Sequence, residues 1–211
     1  DVLVSRLARS RSALKKKAQY ISKNRHEKAL KLELIISKHL RNLNMGNIKF
    51  KVNIISNADD IYDLGMDRCE FFISTNEGEE LRPLSKIISG GEASRIMLAI
   101  KMALQSNDII STLIFDEIDS GISGSIAEIV GEEIEKLSQS YQILCITHLS
   151  QIAGKGKHHY KVWKKNEKDR CIVKIDKLAD SDRIREIASL ISGKKITNTG
   201  IKQAEILLDH G

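Results

Sequence analysis

No stretch of the 211 residues is apolar for anything near the roughly eighteen residues that would suggest a membrane span. The N-terminal residues, with Asp1, Arg6, Arg9 and Arg11, are too charged for the apolar centre of a secretory leader. A soluble cytoplasmic protein with no membrane partner is the expectation. Cysteine is scarce: Cys69, Cys145 and Cys171 stand far apart, with no C-x-x-C pair to form a zinc or dithiol redox site. They are expected to be buried thiols in a reducing compartment. Proline occurs once, at Pro83, and from Leu3 to Leu43 there is neither Gly nor Pro. Missing too is any G-x-x-x-x-G-K-[S/T] phosphate loop; Gly154-Lys155-Gly156-Lys157 has neither the spacing nor the hydroxyl residue. The chain therefore lacks a cradle of its own for the terminal phosphates of a nucleotide. No internal repeat or low-complexity linker is present.

What is there suffices for a folded unit. A hydrophobic fraction of 41% can build a core, and the length suits one ordinary domain or two small ones. The chain starts at Asp1 rather than Met, which fits a piece of a longer protein or a numbering that begins inside one. The net charge of +6 is unevenly spread: residues 1–51 hold 14 Lys or Arg against Asp1, Glu27 and Glu33, a net +11, leaving −5 for the remainder. A polycation of this kind is either a solvated helix face or a nucleic-acid contact, with Arg6, Arg9, Arg11, Lys15, Lys16 and Lys17 as the DNA-binding candidates.

Rich in Lys, Arg, Leu and Ala, the segment from Leu3 to about Leu43 predicts one long helix or two joined ones, ended by Asn44 to Asn47 with Gly46. Leu7, Leu14 and Ile21 recur every seven residues, which suits the end of one strand of a coiled coil whose partner strand is missing. Alternating runs predict strands over Ile48–Ile55 and Cys69–Thr75. After Pro83 the pattern becomes helix (Gly90–Gln105), buried strand (Ile109–Phe115), helix (Ser125–Ser138) and buried strand (Gln142–Thr147), the alternation of a parallel α/β sheet. A hairpin through Lys161–Trp163 and Cys171–Ile175 and helices over Asp182–Ile191 and Thr197–Leu208 close the chain. The expected division is a basic helix over 1–44 and an α/β lobe over 45–211.

Three features carry chemistry. Ser89-Gly90-Gly91-Glu92 opens a helix with two glycines that cost helix propensity, so a simple S-x-x-E capping box does not account for them. They make sense where something must approach the backbone closely, and bare amides at the positive end of a helix suit a phosphate. Leu113-Ile114-Phe115-Asp116-Glu117 ends an apolar strand in two carboxylates, where ligands of open α/β sheets sit. Asp116 suits Mg²⁺ and Glu117 suits polarising an attacking water. Ile143-Leu144-Cys145-Ile146-Thr147-His148 closes the neighbouring strand position on a histidine that can flank the same site as Glu117.

In this order the three resemble the signature, Walker B strand, D-loop and switch histidine of ABC ATPases, and Glu92 resembles the SMC-like branch rather than transporters. Leu84-Ser85-Lys86 before the signature, Phe115 to Gly124 with its Gly-Ile-Ser-Gly D-loop, Thr147 to Ala153, Phe72 to Glu79 and Arg185 to Ala188 make residues 30–209 similar to the RecN family. Ile88 and Glu77 depart from that pattern. The resemblance implies the C-terminal lobe of an ATPase head with a mainly parallel sheet flanked by helices, preceded by a basic helix from the base of a coiled coil. It also implies ATP and Mg²⁺ as cofactors. Ser89, Gly90, Gly91 and Glu92, with Asp119 and Gly121 of the D-loop, would bind nucleotide, and His148 would contact the γ-phosphate region. Implied partners are an N-terminal half carrying the phosphate loop, a second head across sandwiched ATP, and DNA, with cytoplasmic, nucleoid-associated work in double-strand-break repair. Other SMC-like heads, a transporter nucleotide-binding subunit and a non-hydrolysing docking module are the competing readings.

Overall fold

The computed structural model describes residues 1–75, 78–86, 90–105, 109–167, 170–193 and 195–209. Glu77, Ile88 and Ser89 lie outside the described residues. The chain divides into two compact units, residues 1–88 with 99–103 and residues 89–98 with 104–211.

The first unit begins with helix α1, Val2–Asn42, as the run without Gly or Pro predicts. His39 and Arg41 in its last turn complement the helix dipole, and Asn44, at φ 58°, turns the chain out through a left-handed conformation that Asn tolerates. Every residue before Ala18 is exposed. Burial then recurs at Ala18, Ser22, Ala29, Ile36 and Leu40, one stripe of the helix. The antiparallel strands β1, Lys49–Ser56, and β2, Asp67–Ser74, pair from Lys49 opposite Ser74 to Ser56 opposite Asp67, and β3, Arg82–Pro83, adds to β2. Glu33 of α1 ties helix to sheet, accepting from Lys51 Nζ at 2.8 Å and from the Val52 amide at 2.9 Å. Arg25 does the same at the other end, donating to Asp67 at 3.1 Å and to the Leu64 carbonyl at 2.7 Å.

The second unit takes the start of helix α2, Gly90–Leu104, then β4, Thr112–Phe115, helix α3, Ser125–Ser138, and β5, Gln142–Cys145. Strands β4 and β5 run parallel, Thr112 opposite Gln142 through Phe115 opposite Cys145, with α3 as their crossover. Helix α4, Ser150–Lys155, leads to an antiparallel hairpin of β6, Tyr160–Glu167, and β7, Arg170–Lys177. Helices α5, Asp180–Ser192, and α6, Asn198–Asp209, close the unit around Ile187, Ala188 and Ala204.

Two expectations are corrected. The strands ahead of the acid pair and the histidine are buried on one face only: Leu113 and Phe115 are covered, whereas Ile114 is 68% exposed and Leu144 and Ile146 are also open. An apolar run reads as doubly covered, but the strand still alternates, and its second face stays open among the described residues. Likewise Cys69 and Cys171 are exposed, because residues 68–70 of β2 and 171–177 of β7 are open at successive positions; Cys145 alone is half-buried. Among the described residues no helix is long and apolar enough to cross a membrane.

Candidate functional site

The glycine start of α2, the acid end of β4 and the histidine after β5 converge on one turn, residues 117–120, closed by the Ser120 amide donating to the Glu117 carbonyl at 3.0 Å. Glu117 enters that turn at φ 57°, a left-handed conformation that costs a residue with a Cβ about 1–2 kcal/mol. Neighbours hold it there. Ser94 Oγ donates to the Asp116 carbonyl at 2.8 Å, and Arg95 Nη1 donates to the carbonyls of Ile118 at 3.1 Å and Ser120 at 2.8 Å. Arg95 is 7% exposed; burial draws its pKa down from the usual value, and Glu92 opposes that shift.

The two glycines of α2 are explained by the same turn. A Cβ on Gly91 would lie 2.6 Å from the Ser120 carbonyl oxygen and 2.8 Å from Ser120 Cβ, and one on Gly90 would collide with Glu117 Oε2. What approaches the backbone closely is thus the turn of this same chain, leaving the Gly90 end exposed. Gly121 and Gly124 are glycines for another reason: at φ 73° and 55° they take conformations that L side chains rarely adopt.

Asp116 and Glu117 both expose their side chains at the carboxyl end of β4. Among the described residues no group of three or more His, Cys, Asp or Glu side chains forms a metal cage. An exposed carboxylate pair suits Mg²⁺ carried in with phosphates and its own waters, the way this ion binds at phosphate-transfer sites. Cys145 sits close behind. Burial, with Asp119 and Asp116, pushes its thiol up to about 12.

The resemblance assigns Asp119 to the nucleotide, but its carboxylate is turned inward and only 4% of the residue is exposed. Oδ2 accepts from Thr147 Oγ1 at 2.5 Å and from the His148 amide at 2.8 Å, and lies 2.9 Å from His148 Nδ1. Burial raises the pKa of Asp119, but the hydrogen bonds from Thr147 and the His148 amide, the charge of the nearby His148 ring and the residue's own amide outweigh it and hold the carboxyl below its ordinary value. The His148 side chain itself is 72% exposed. The structure therefore groups Gly90, Gly91, Glu117, Asp119 and His148 around one turn. It leaves Arg6, Arg9, Arg11, Lys15, Lys16 and Lys17 exposed on the first half of α1. Sequence reading assigned no role to Arg95 or Thr147. The available signal for Arg95 was a cation beside the apolar stripe of Ile96, Ala99 and Ile100; for Thr147 there was only its place before the histidine.

No protein-family model matches the chain. It is 38% identical over 191 residues to the DNA repair protein RecN of Vibrio cholerae, covering 90% of this chain and 34% of that protein. With RecN of Haemophilus influenzae it shares 34% over 209 residues, 99% of this chain and 38% of the relative, and with RecN of Rickettsia bellii 40% over 190, 90% and 34%. The chain thus spans about a third of the length of the curated relatives it matches. Among solved structures, the Smc head domain with a coiled coil and joint from Pyrococcus yayanosii superposes with a TM-score of 0.56 at 19% identity, over 81% of this chain and 30% of that one. The Smc head domain with an extended coiled coil from Pyrococcus furiosus, bound to the C-terminal domain of ScpA, gives 0.51 at 17%, over 80% and 39%. The fold is that of the Smc head class, an α/β lobe. Within that class the chain is a RecN-like head segment.

Proposed function

We propose that this chain is the C-terminal lobe of a DNA-repair ATPase head that closes on ATP with a second head and thereby clamps or tethers broken DNA. The observation carrying this is the convergence on the 117–120 turn of a glycine helix start, a carboxylate pair at a parallel strand end and an exposed histidine. Glu117 polarises the attacking water, Asp116 binds the Mg²⁺ of the nucleotide, and His148 faces the γ-phosphate. Ser89, Gly90, Gly91, Glu92 and Gly121 meet the nucleotide held by the facing head. Residues 1–44 form the base of a coiled coil, whose second strand covers Leu7, Leu14 and Ile21, all large apolar side chains exposed on α1. The protein works in the cytoplasm at the nucleoid.

Because no phosphate loop occurs in the sequence, the 211-residue chain is expected neither to bind ATP tightly nor to turn it over. Adding a lobe that carries the loop restores both. Turnover by the chain alone at a rate comparable with the completed head would refute the lobe assignment.

The exposed Arg and Lys residues of α1 support a sequence-independent contact with the DNA backbone. Log affinity is expected to fall with log salt by roughly 0.9 per neutralised phosphate, and changing Lys15, Lys16 and Lys17 to Gln to flatten that slope by up to about three units. Gln and Lys have similar helix propensity, so the helix persists. An unchanged slope and affinity, measured by fluorescence anisotropy on duplexes of several sequences, would make this charge a solvated face.

A further inference from the structure

We propose that Asp119 is a positioning residue for His148: it holds the imidazole with Nδ1–H turned inward and leaves Nε2 as the ring atom presented to the nucleotide. An ionised carboxylate offers only lone pairs, so a ring nitrogen lying 2.9 Å from Asp119 Oδ2 is favoured in its protonated form, where the alternative sets lone pair against lone pair. His148 is 72% exposed and has little packing to fix its rotamer or tautomer. The close contact with Asp119 does both. Asp119 is itself immobilised, since its oxygen also accepts from the Thr147 hydroxyl and the His148 amide. Its neighbours Ile118 and Ser120 are fastened through their carbonyls to Arg95. Glu117 and His148 are thereby set by one rigid turn, the geometry that makes an outer partner govern the orientation of an inner group. At 4% exposure Asp119 acts from behind the site, through the ring.

The kinetic consequence rests on the ATPase reading above; the tautomer does not. The direct test is a long-range ¹H–¹⁵N correlation spectrum of the unmodified chain with labelled histidine, recorded where the rings are neutral and assigned with H148Q. The expected pattern shows His148 protonated at Nδ1 and bare at Nε2. A ring protonated at Nε2, or a rapidly exchanging mixture, would overturn the proposal whether or not any variant folds. In the completed head, D119A is expected to lower kcat for ATP by roughly 10–100-fold with KM nearly unchanged, and D119A/H148Q to be no slower than H148Q alone. Additive losses in the double variant would mean that Asp119 acts independently of the ring. A completed head without ATPase activity would instead defeat the proposed function while the tautomer result stood.

Discussion

In a head completed with a phosphate-loop lobe, Glu117→Gln is expected to slow ATP turnover by about 10²–10⁴-fold while leaving ATP binding intact. The substitution keeps size and polarity and the left-handed backbone at φ 57°, which is held from outside the side chain by Ser94 and Arg95. What it removes is a carboxylate able to take up proton density from water. Binding without hydrolysis must accumulate the closed state, so ATP-dependent dimers should persist in sedimentation velocity where wild-type dimers decay. Asp116→Asn behaves differently: Asp116 is the carboxylate proposed for the metal, so Mg²⁺-dependent ATP affinity falls first. Wild-type turnover by Glu117→Gln would move the catalytic role to another group.

Adding one methyl group at Gly90 or at Gly91 is expected to cause opposite kinds of damage. At Gly91 the new Cβ meets backbone, the carbonyl oxygens of Ser120 at 2.6 Å and Glu117 at 3.1 Å, and neither the helix nor the tethered turn can yield cheaply. Overpacking of this kind costs about 1–3 kcal/mol, against a gain of roughly 0.5–1 kcal/mol from replacing Gly by Ala in a helix. Gly91→Ala should therefore lower the chain's thermal midpoint by several degrees. At Gly90 the atom in the way is Oε2, the far end of a rotatable side chain. The carboxylate swings aside at little cost in stability, but it leaves the water it is meant to orient, and a displacement near 1 Å costs about 10²-fold in rate. Gly90→Ala should melt like wild type and turn over slowly. Equal melting of the two variants, or normal turnover by Gly90→Ala, would contradict this account of why two glycines open α2.

The elements themselves were legible in the residues. Absence of Gly and Pro sets α1, alternation sets β1 and β2, and the Gly-Gly start, the Asp-Glu strand end and the strand-end His148 mark the candidate site, because local propensity and periodicity act within a few residues of each position. That two glycines require something close by was also readable, but not what it is. Only the folded chain places Ser120 and Glu117 there, and only it turns Asp119 away from solvent to meet Thr147 and His148. The same limit explains Cys69, Cys171 and Ile114, whose exposure depends on what packs over the strand rather than on the strand itself. Composition and spacing specify which groups a chain carries and what local backbone they favour; which atoms meet across 20 or 30 residues is decided by packing, where a single hydrogen-bonded turn can hold an acid, a helix start and a histidine in one geometry.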